Sequence, residues 1–178
     1  MVLGNLAILT HGGCIIYPND GFEPLSVLKA VEEEKCTALH GVPTMFIAEL
    51  EHPDFDKYDL STLRTGIMAG SSCPIEVMRR VIDEMHMSEV TIAYGMTETS
   101  PVSWKKNKNT PLDKQVSTVG LVQPNLEVKI VNTETGEVVP IGETGELLTR
   151  GYSVMKGYWG SRFKTRESIK DGWMHTGD

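Results

Sequence analysis

Cysteine is scarce in this chain: Cys14, Cys36 and Cys73 are odd in number and far apart, with no C-x-x-C pair and no histidine at metal-ligand spacing beside them. That pattern gives no sign of a structural zinc site and predicts free, buried or half-buried thiols in a reducing compartment, hence a cytoplasmic location. Basic clusters are nearly lacking too. The only one, Lys105, Lys106 and Lys108, sits among asparagines in a polar stretch, and seventeen basic against twenty-four acidic residues leave a net charge of -7. Such acidity argues against contact with a phosphate backbone, so no nucleic-acid partner is expected. No long apolar run occurs either. The opening MVLGNLAILTHGG is broken by Asn5, Thr10 and His11 and has no basic leader. It fits neither a signal peptide nor an apolar span of about 18 residues, and no transmembrane segment is expected. It reads instead as a core helix. No Ser, Thr or Asp stands before Val2 as a cap, and Asp178 closes a polar loop with nothing after it. Both ends predict an interior piece of a longer chain. Internal repeats and low-complexity segments are absent.

What is present is an ordinary soluble composition, 40% hydrophobic and 23% charged over 178 residues, enough for one domain or two small subdomains sharing a core. From about residue 14 to 95, short apolar runs alternate with helical patterns, as in βαβ units building a parallel sheet. The expected strands are Gly13 to Pro18, Cys36 to His40, Arg64 to Ala69 and Glu89 to Tyr94. The expected helices are Pro24 to Glu34, Pro43 to Leu50 and Pro74 to Met85, each opening on a proline at or near the first helical position. In the last, Ile75, Met78, Val81, Ile82 and Met85 share one face, which should pack on the sheet. Residues 96–118 show no period and predict a long loop. Composition then changes. Leu126 to Val131 and Gly145 to Arg150 read as strands, with turns at Thr133–Glu137 and Ile141–Gly145, so the second part should be a small β meander or partial barrel.

Two places draw chemical interest. Ala93-Tyr94-Gly95-Met96-Thr97-Glu98-Thr99 follows a candidate strand directly, and in an open α/β sheet ligands bind beyond the carboxyl ends of strands. Tyr94 offers an aromatic face, Gly95 a close backbone approach, Thr97 a hydroxyl, and Glu98 an oxygen ligand for a hard cation such as Mg²⁺. A plain strand followed by an ordinary glycine turn is the competing reading. Gly70-Ser71-Ser72-Cys73-Pro74 again joins a strand to a helix, where backbone N–H groups and two hydroxyls favour anionic or polar ligands. Equally, Ser71 or Ser72 could simply cap the helix that begins at Pro74. A catalytic serine is disfavoured, since there is no G-x-S-x-G elbow. Further on come Gly145-Glu146-Leu147, then Gly157-Tyr158-Trp159, then His175-Thr176-Gly177-Asp178. Alone, Asp178 reads as a solvated carboxylate. On a rigid loop beside Gly177 it could also accept hydrogen bonds from both hydroxyls of a ribose.

In combination and order, Tyr-Gly-x-Thr-Glu, Gly-Glu-Leu-x-x-x-Gly, Gly-Tyr and His-Thr-Gly-Asp resemble the adenylate-forming superfamily of acyl-CoA synthetases, luciferases and peptide-synthetase adenylation domains. Gly41-Val42-Pro43-Thr44 and Gly70 to Pro74 are similar to segments of that family, and the resemblance covers essentially the whole chain. The wording of Leu39 to Phe46 and of Val154 to Trp159 is closest to fatty-acyl-CoA synthetases, the medium-chain type included. The resemblance implies an α/β fold: a flavodoxin-like parallel-sheet subdomain over residues 1–118, then a small β-rich subdomain, a partial barrel, over 119–178. It implies a two-step reaction in which a carboxylic acid, of the fatty-acid class, attacks ATP to give an acyl-adenylate and pyrophosphate, and the thiol of coenzyme A then displaces AMP. Nucleotide contacts would fall to Gly70, Ser71, Ser72, Tyr94, Gly95, Met96, Thr97 and Asp178, with Tyr94 at adenine, Thr97 at phosphate and Asp178 at the ribose. Glu98 would hold Mg²⁺, and Thr97 and Glu98 would be the catalytic pair.

Departures from the family pattern are as informative. Its Ser/Thr/Gly-rich phosphate loop with a lysine is not in this sequence, nor is its histidine-containing acyl-site segment, nor the mobile carboxyl-terminal domain whose lysine meets the reacting carboxylate. The chain alone is therefore expected to be inactive as a ligase. Asn125 stands where the family often has glycine, and asparagine can take the left-handed conformation there. Two other readings remain open at this level: an adenylation domain that loads a carrier protein, and a nucleotide-binding module without catalysis. Neither acyl chain length nor oligomeric state follows from the sequence.

Overall fold

A computed structural model describes residues 2–100, 102–105 and 111–178. The lysine pair Lys106 and Lys108 and the middle of the expected 96–118 loop lie outside the described residues. The chain forms two compact units, one of residues 1–94 and 105–120, the other of 95–104 and 121–178.

The first unit opens with a helical turn over Val2–Leu6 continued by α1 (Ala7–Thr10). Neither segment contains a buried residue, and Leu6 and Leu9 are exposed. The expected core helix is therefore helical but not core, because among the described residues no element buries its apolar side chains. Gly13 to Pro18, expected as a strand, forms none. A strand needs a ladder partner for its N–H and C=O groups, and no described strand pairs with this run.

The other expectations hold closely. Helix α2 (Pro24–Glu34) is started by Glu23, whose carboxylate accepts hydrogen bonds from the N–H groups of Leu25 and Ser26 at 3.0 and 2.6 Å. Pro24 takes the first helical position, where its missing N–H costs nothing. Then follow β1 (Ala38–Gly41), α3 (Pro43–Leu50), β2 (Thr65–Ala69), α4 (Ile75–Glu84) and β3 (Glu89–Tyr94). Strands β1, β2 and β3 pair in parallel in that order, with Leu39 opposite Gly66 and Ala69 opposite Ala93. Gly66 has to be glycine: a Cβ there would run into the Leu39 carbonyl oxygen and the Met87 methyl group. The core gathers Leu28 and Val31 of α2, Phe46 and Leu50 of α3, Met68 of β2 and Met78 and Val81 of α4. The apolar face read from the α4 pattern is thus the buried one. Methionine is prominent: Met68, Met78, Met85 and Met87 are all fully enclosed, filling gaps between sheet and helices with unbranched, adaptable side chains.

Downstream of β3 come a 3₁₀ turn (Thr97–Thr99), β4 (Trp104–Lys105), α5 (Leu112–Ser117) and β5 (Leu121–Val122). The stretch expected as one long loop therefore carries short elements. The second unit is built on β6 (Leu126–Val131), β7 (Glu146–Gly151), α6 (Arg162–Ser168), β8 (Ile169–Lys170) and β9 (Trp173–His175). Its four-stranded antiparallel sheet has the order β6-β7-β9-β8. Asn125 has φ 62°, so the asparagine does take the left-handed conformation at the entry to β6. Between β6 and β7, the Asn132 side chain accepts from the N–H groups of Glu134 and Thr135, and Gly136 has φ 73°, closing the expected turn. On the sheet surface Lys129 and Arg150 flank the Trp173 ring, 4.3 and 4.5 Å from its centre. These contacts tie β9 to its neighbours and steady the chain that leads into residues 175–178. Among the described residues no helix is long and apolar enough to cross a membrane.

Candidate functional site

Three of the predicted residues share an edge of the first unit with Tyr94. Because Ala69 pairs with Ala93, strands β2 and β3 end within one residue of each other, and Gly70-Ser71-Ser72 leave the sheet at the same carboxyl edge where Tyr94 ends β3. Gly41 at the end of β1 pairs with Met68 and brings Val42 there as well. Gly70 has φ +93°, and a Cβ on it would lie 3.2 Å from Val42 Cγ1. Glycine thus lets the chain turn away from β2 in a backbone shape that side chains disfavour. Ser71 and Ser72 are exposed, and the alternative of a serine cap does not hold: the residue before α4 is Pro74, and no side-chain cap bonds to the helix. Cys73 is what anchors this turn, buried with its Sγ 2.9 Å from Met68 Sδ.

Gly95, Met96, Thr97 and Glu98 lie on the turn that opens the second unit. Thr99 is buried and closes that turn: its backbone N–H and its hydroxyl both donate to the Met96 carbonyl, at 3.0 and 3.1 Å. Ser100, with φ 54°, ends it. The turn faces Thr97 to solvent and leaves Glu98 half-buried. Glu98 is gripped twice from the loop after β7. Its carbonyl accepts from the Met155 N–H at 2.8 Å, and its Oε1 accepts from the Tyr158 hydroxyl at 2.9 Å. The bond to the Glu98 carboxylate raises the Tyr158 phenol above its ordinary pKa.

Asp178 is exposed at the end of a loop whose backbone is fixed at several points. Its carbonyl accepts from the Leu147 N–H at 3.0 Å, and its own N–H donates to Thr176 Oγ1 at 3.2 Å. The Thr176 hydroxyl in turn donates to the Leu147 carbonyl at 2.7 Å. Glu146 clamps the same loop with both carboxylate oxygens, one 2.8 Å from His175 Nδ1 and the other accepting the Gly177 N–H at 3.2 Å. Glu146→Ala removes both contacts from a loop that is otherwise held by backbone bonds to Leu147 and by the Thr176 hydroxyl. The Gly177 amide should then exchange about tenfold faster, the loss of roughly one net hydrogen bond, in hydrogen–deuterium exchange. Unchanged protection would show that Glu146 does not hold the loop.

The sequence did not point to Tyr158, Met155 or Glu146 as partners of these residues. Tyr158 and Glu146 stand in recognisable short motifs, but the contacts they make span 60 and 29 positions. Nothing in local spacing reports such a pairing.

A family model described as "AMP-binding enzyme" matches residues 1–159. The putative acyl-CoA synthetase YngI of Bacillus subtilis (strain 168) is 58% identical over 178 residues, covering 99% of this chain and 32% of that protein. The mitochondrial medium-chain acyl-CoA ligase ACSF2 of Danio rerio is 46% identical, covering 98% of this chain and 29% of that protein. Among solved structures, the anthranilate CoA ligase AuaEII in complex with anthranoyl-AMP superposes with a TM-score of 0.84 at 26% identity, over 93% of this chain and 31% of that one. The chain therefore spans about a third of the length of the relatives it matches. With a match to the family over most of its residues, an α/β unit followed by an antiparallel β unit, and a structural likeness to a CoA ligase, this chain belongs to the AMP-binding enzyme family.

Proposed function

We propose that this chain forms the adenine, ribose and magnesium side of an ATP-dependent acyl-CoA synthetase acting on a fatty acid. The single observation that carries the proposal is the carboxylate of Glu98, placed on the turn directly after β3 and held there through both its backbone and its side chain. The relatives named acyl-CoA synthetase and medium-chain acyl-CoA ligase support the reaction class and the fatty-acid substrate.

In this reading Tyr94 flanks adenine, Gly95 and Met96 line its edge, and Gly70, Ser71 and Ser72 offer backbone and hydroxyl groups where the adenine and acyl pockets meet. Asp178 holds the ribose hydroxyls and Thr97 meets the phosphate. The Glu98 carboxylate, half-buried and with Oε1 accepting from the Tyr158 hydroxyl, is an oxygen donor of the hard kind that Mg²⁺ takes. No group of three or more acidic, histidine or cysteine side chains that could hold a metal occurs among the described residues. A single carboxylate is what Mg²⁺ commonly takes from a protein when phosphates and water fill the rest of its shell. The ion would neutralise charge on the phosphates. For the chain's own residues the demand is positional. Acyl-phosphate chemistry at the α-phosphorus needs oriented dipoles and charges more than a protein nucleophile, and the turn at 95–99 and the loop at 175–178 are both rigidly tied.

The acid's carboxylate oxygen forms a bond to the α-phosphorus as the bond to pyrophosphate breaks. The thiolate of coenzyme A then attacks the acyl carbon, and AMP leaves with the bonding pair. We place the residues that grip the leaving phosphates and the reacting carboxylate outside residues 1–178, and the protein in the cytoplasm. Cys14, Cys36 and Cys73, none of them in a disulfide among the described residues, support a reducing compartment.

Fatty acids of graded chain length, ATP and Mg²⁺ given to the full-length protein should release pyrophosphate only when acid is present, and form thioester only when coenzyme A is added. The isolated chain should give no turnover. Acid-independent pyrophosphate release, or loading of a carrier protein but not of coenzyme A, would refute the assignment.

A further inference from the structure

Glu98 alone does not explain why its carboxylate should point in one direction. A glutamate side chain has three rotatable bonds, and on a half-exposed turn it would sample several rotamers, each presenting a different oxygen. We propose that Tyr158 is a positioning residue that fixes the Glu98 carboxylate for a divalent cation, by donating its phenol O–H to Oε1 at 2.9 Å. The inference rests on the reading of Glu98 as a magnesium ligand.

The support for Tyr158 is itself built. Its backbone N–H donates to Thr165 Oγ1 at 2.9 Å, and that hydroxyl donates to the Ser161 carbonyl at 2.8 Å, so α6 holds the tyrosine from behind. Gly157 makes this approach possible. It has φ +150°, and a Cβ on it would lie 2.8 Å from both Cγ2 and Oγ1 of Thr165. A few residues earlier, the Met155 N–H holds the Glu98 carbonyl at 2.8 Å. The loop from 155 to 165 therefore meets Glu98 at two points, one setting where its backbone lies and the other how its carboxylate is turned. Partners that orient a metal ligand commonly carry an effect of about tenfold or more on metal affinity. Tyr158 makes no contact of its own to the cation in this arrangement.

The test is calorimetry of a non-hydrolysable ATP analogue binding to the full-length protein across a Mg²⁺ series. Tyr158→Phe keeps the ring and removes only the hydroxyl. It should raise the half-saturating Mg²⁺ concentration about tenfold while leaving the thermal midpoint unchanged. Glu98→Gln should raise it at least as far, and in that background Tyr158→Phe should add nothing, because the hydroxyl then has no ligating carboxylate to orient. Thr165→Val, which frees the Tyr158 backbone but spares the phenol, should give a smaller rise in the same direction, and it decides the matter if Tyr158→Phe does not fold. An unchanged Mg²⁺ requirement in Tyr158→Phe, or a rise that persists undiminished beside Glu98→Gln, overturns the role of Tyr158. If Glu98→Gln itself leaves the requirement unchanged, the magnesium reading of Glu98 fails first and Tyr158 falls with it.

Discussion

Glu98→Gln in the full-length protein is expected to lower the rate of acid-dependent pyrophosphate release by about 10²–10³ at saturating ATP and fatty acid, the size of loss seen when one preorganised electrostatic contact is removed. The substitution is chosen for what it spares. Glutamine has the same length and shape, its amide oxygen can still accept the Tyr158 hydroxyl, and the Met155 N–H bond to the backbone at 2.8 Å does not depend on the side chain at all. What it removes is one negative charge. If that charge acts by holding a cation, raising the Mg²⁺ concentration should recover part of the rate. If it acts directly on the substrates, added Mg²⁺ should do nothing. A rate within threefold of wild type, measured by coupled detection of pyrophosphate, would leave Glu98 with no catalytic standing.

The reason such a residue could be singled out from sequence is that its context is local. Gly95 to Glu98 directly follow a strand whose observed bounds, Glu89–Tyr94, are the expected ones. Helices Pro24–Glu34 and Pro43–Leu50 were legible for the same reason, since proline at the start and an apolar stripe at helical spacing are both short-range signals. Gly13 to Pro18 shows where this logic stops. Its composition is strand-like, yet whether a strand forms is decided by a partner elsewhere in the chain. The same holds for the opening helix, whose apolar residues satisfy any local criterion for a core element, yet none is buried and Val2, Leu6 and Leu9 are exposed. At the site, Tyr158 and Glu146 could be noticed as parts of motifs, but their work is done through contacts between residues distant in sequence, and spacing carries no record of those.

Glu49 shows a different gap between pattern and consequence, and it supports a large stability effect. In α3 the buried side chains are Pro43, Phe46, Glu49 and Leu50, so a glutamate occupies the helix's inward stripe between two core residues. It is 2% exposed, and its Oε2 has no hydrogen-bond partner among the described residues. An ionised carboxylate there would lose its hydration without compensation. Burial accordingly pushes its pKa up to about 8. The sign of the pH dependence follows. In the unfolded chain Glu49 releases its proton near the ordinary carboxylate value of about 4.3, whereas the folded chain keeps it until about pH 8. Between those limits the unfolded state binds fewer protons, so stability is greatest below the unfolded value, falls as pH rises, and levels off above the folded value. A shift of this size corresponds to a loss of several kcal/mol across the window, an upper bound because local opening would let water reach the carboxylate. Glutamine mimics the neutral acid and cannot ionise. Urea unfolding should therefore find wild type and Glu49→Gln about equally stable near pH 4, while near pH 8 the variant should be more stable by several kcal/mol. Every other titrating group is common to the two proteins and cancels in the difference, which leaves Glu49 as the source of any divergence. Curves that stay parallel from pH 4 to pH 8 would mean that the carboxyl ionises in place, with a partner or water that relieves its charge.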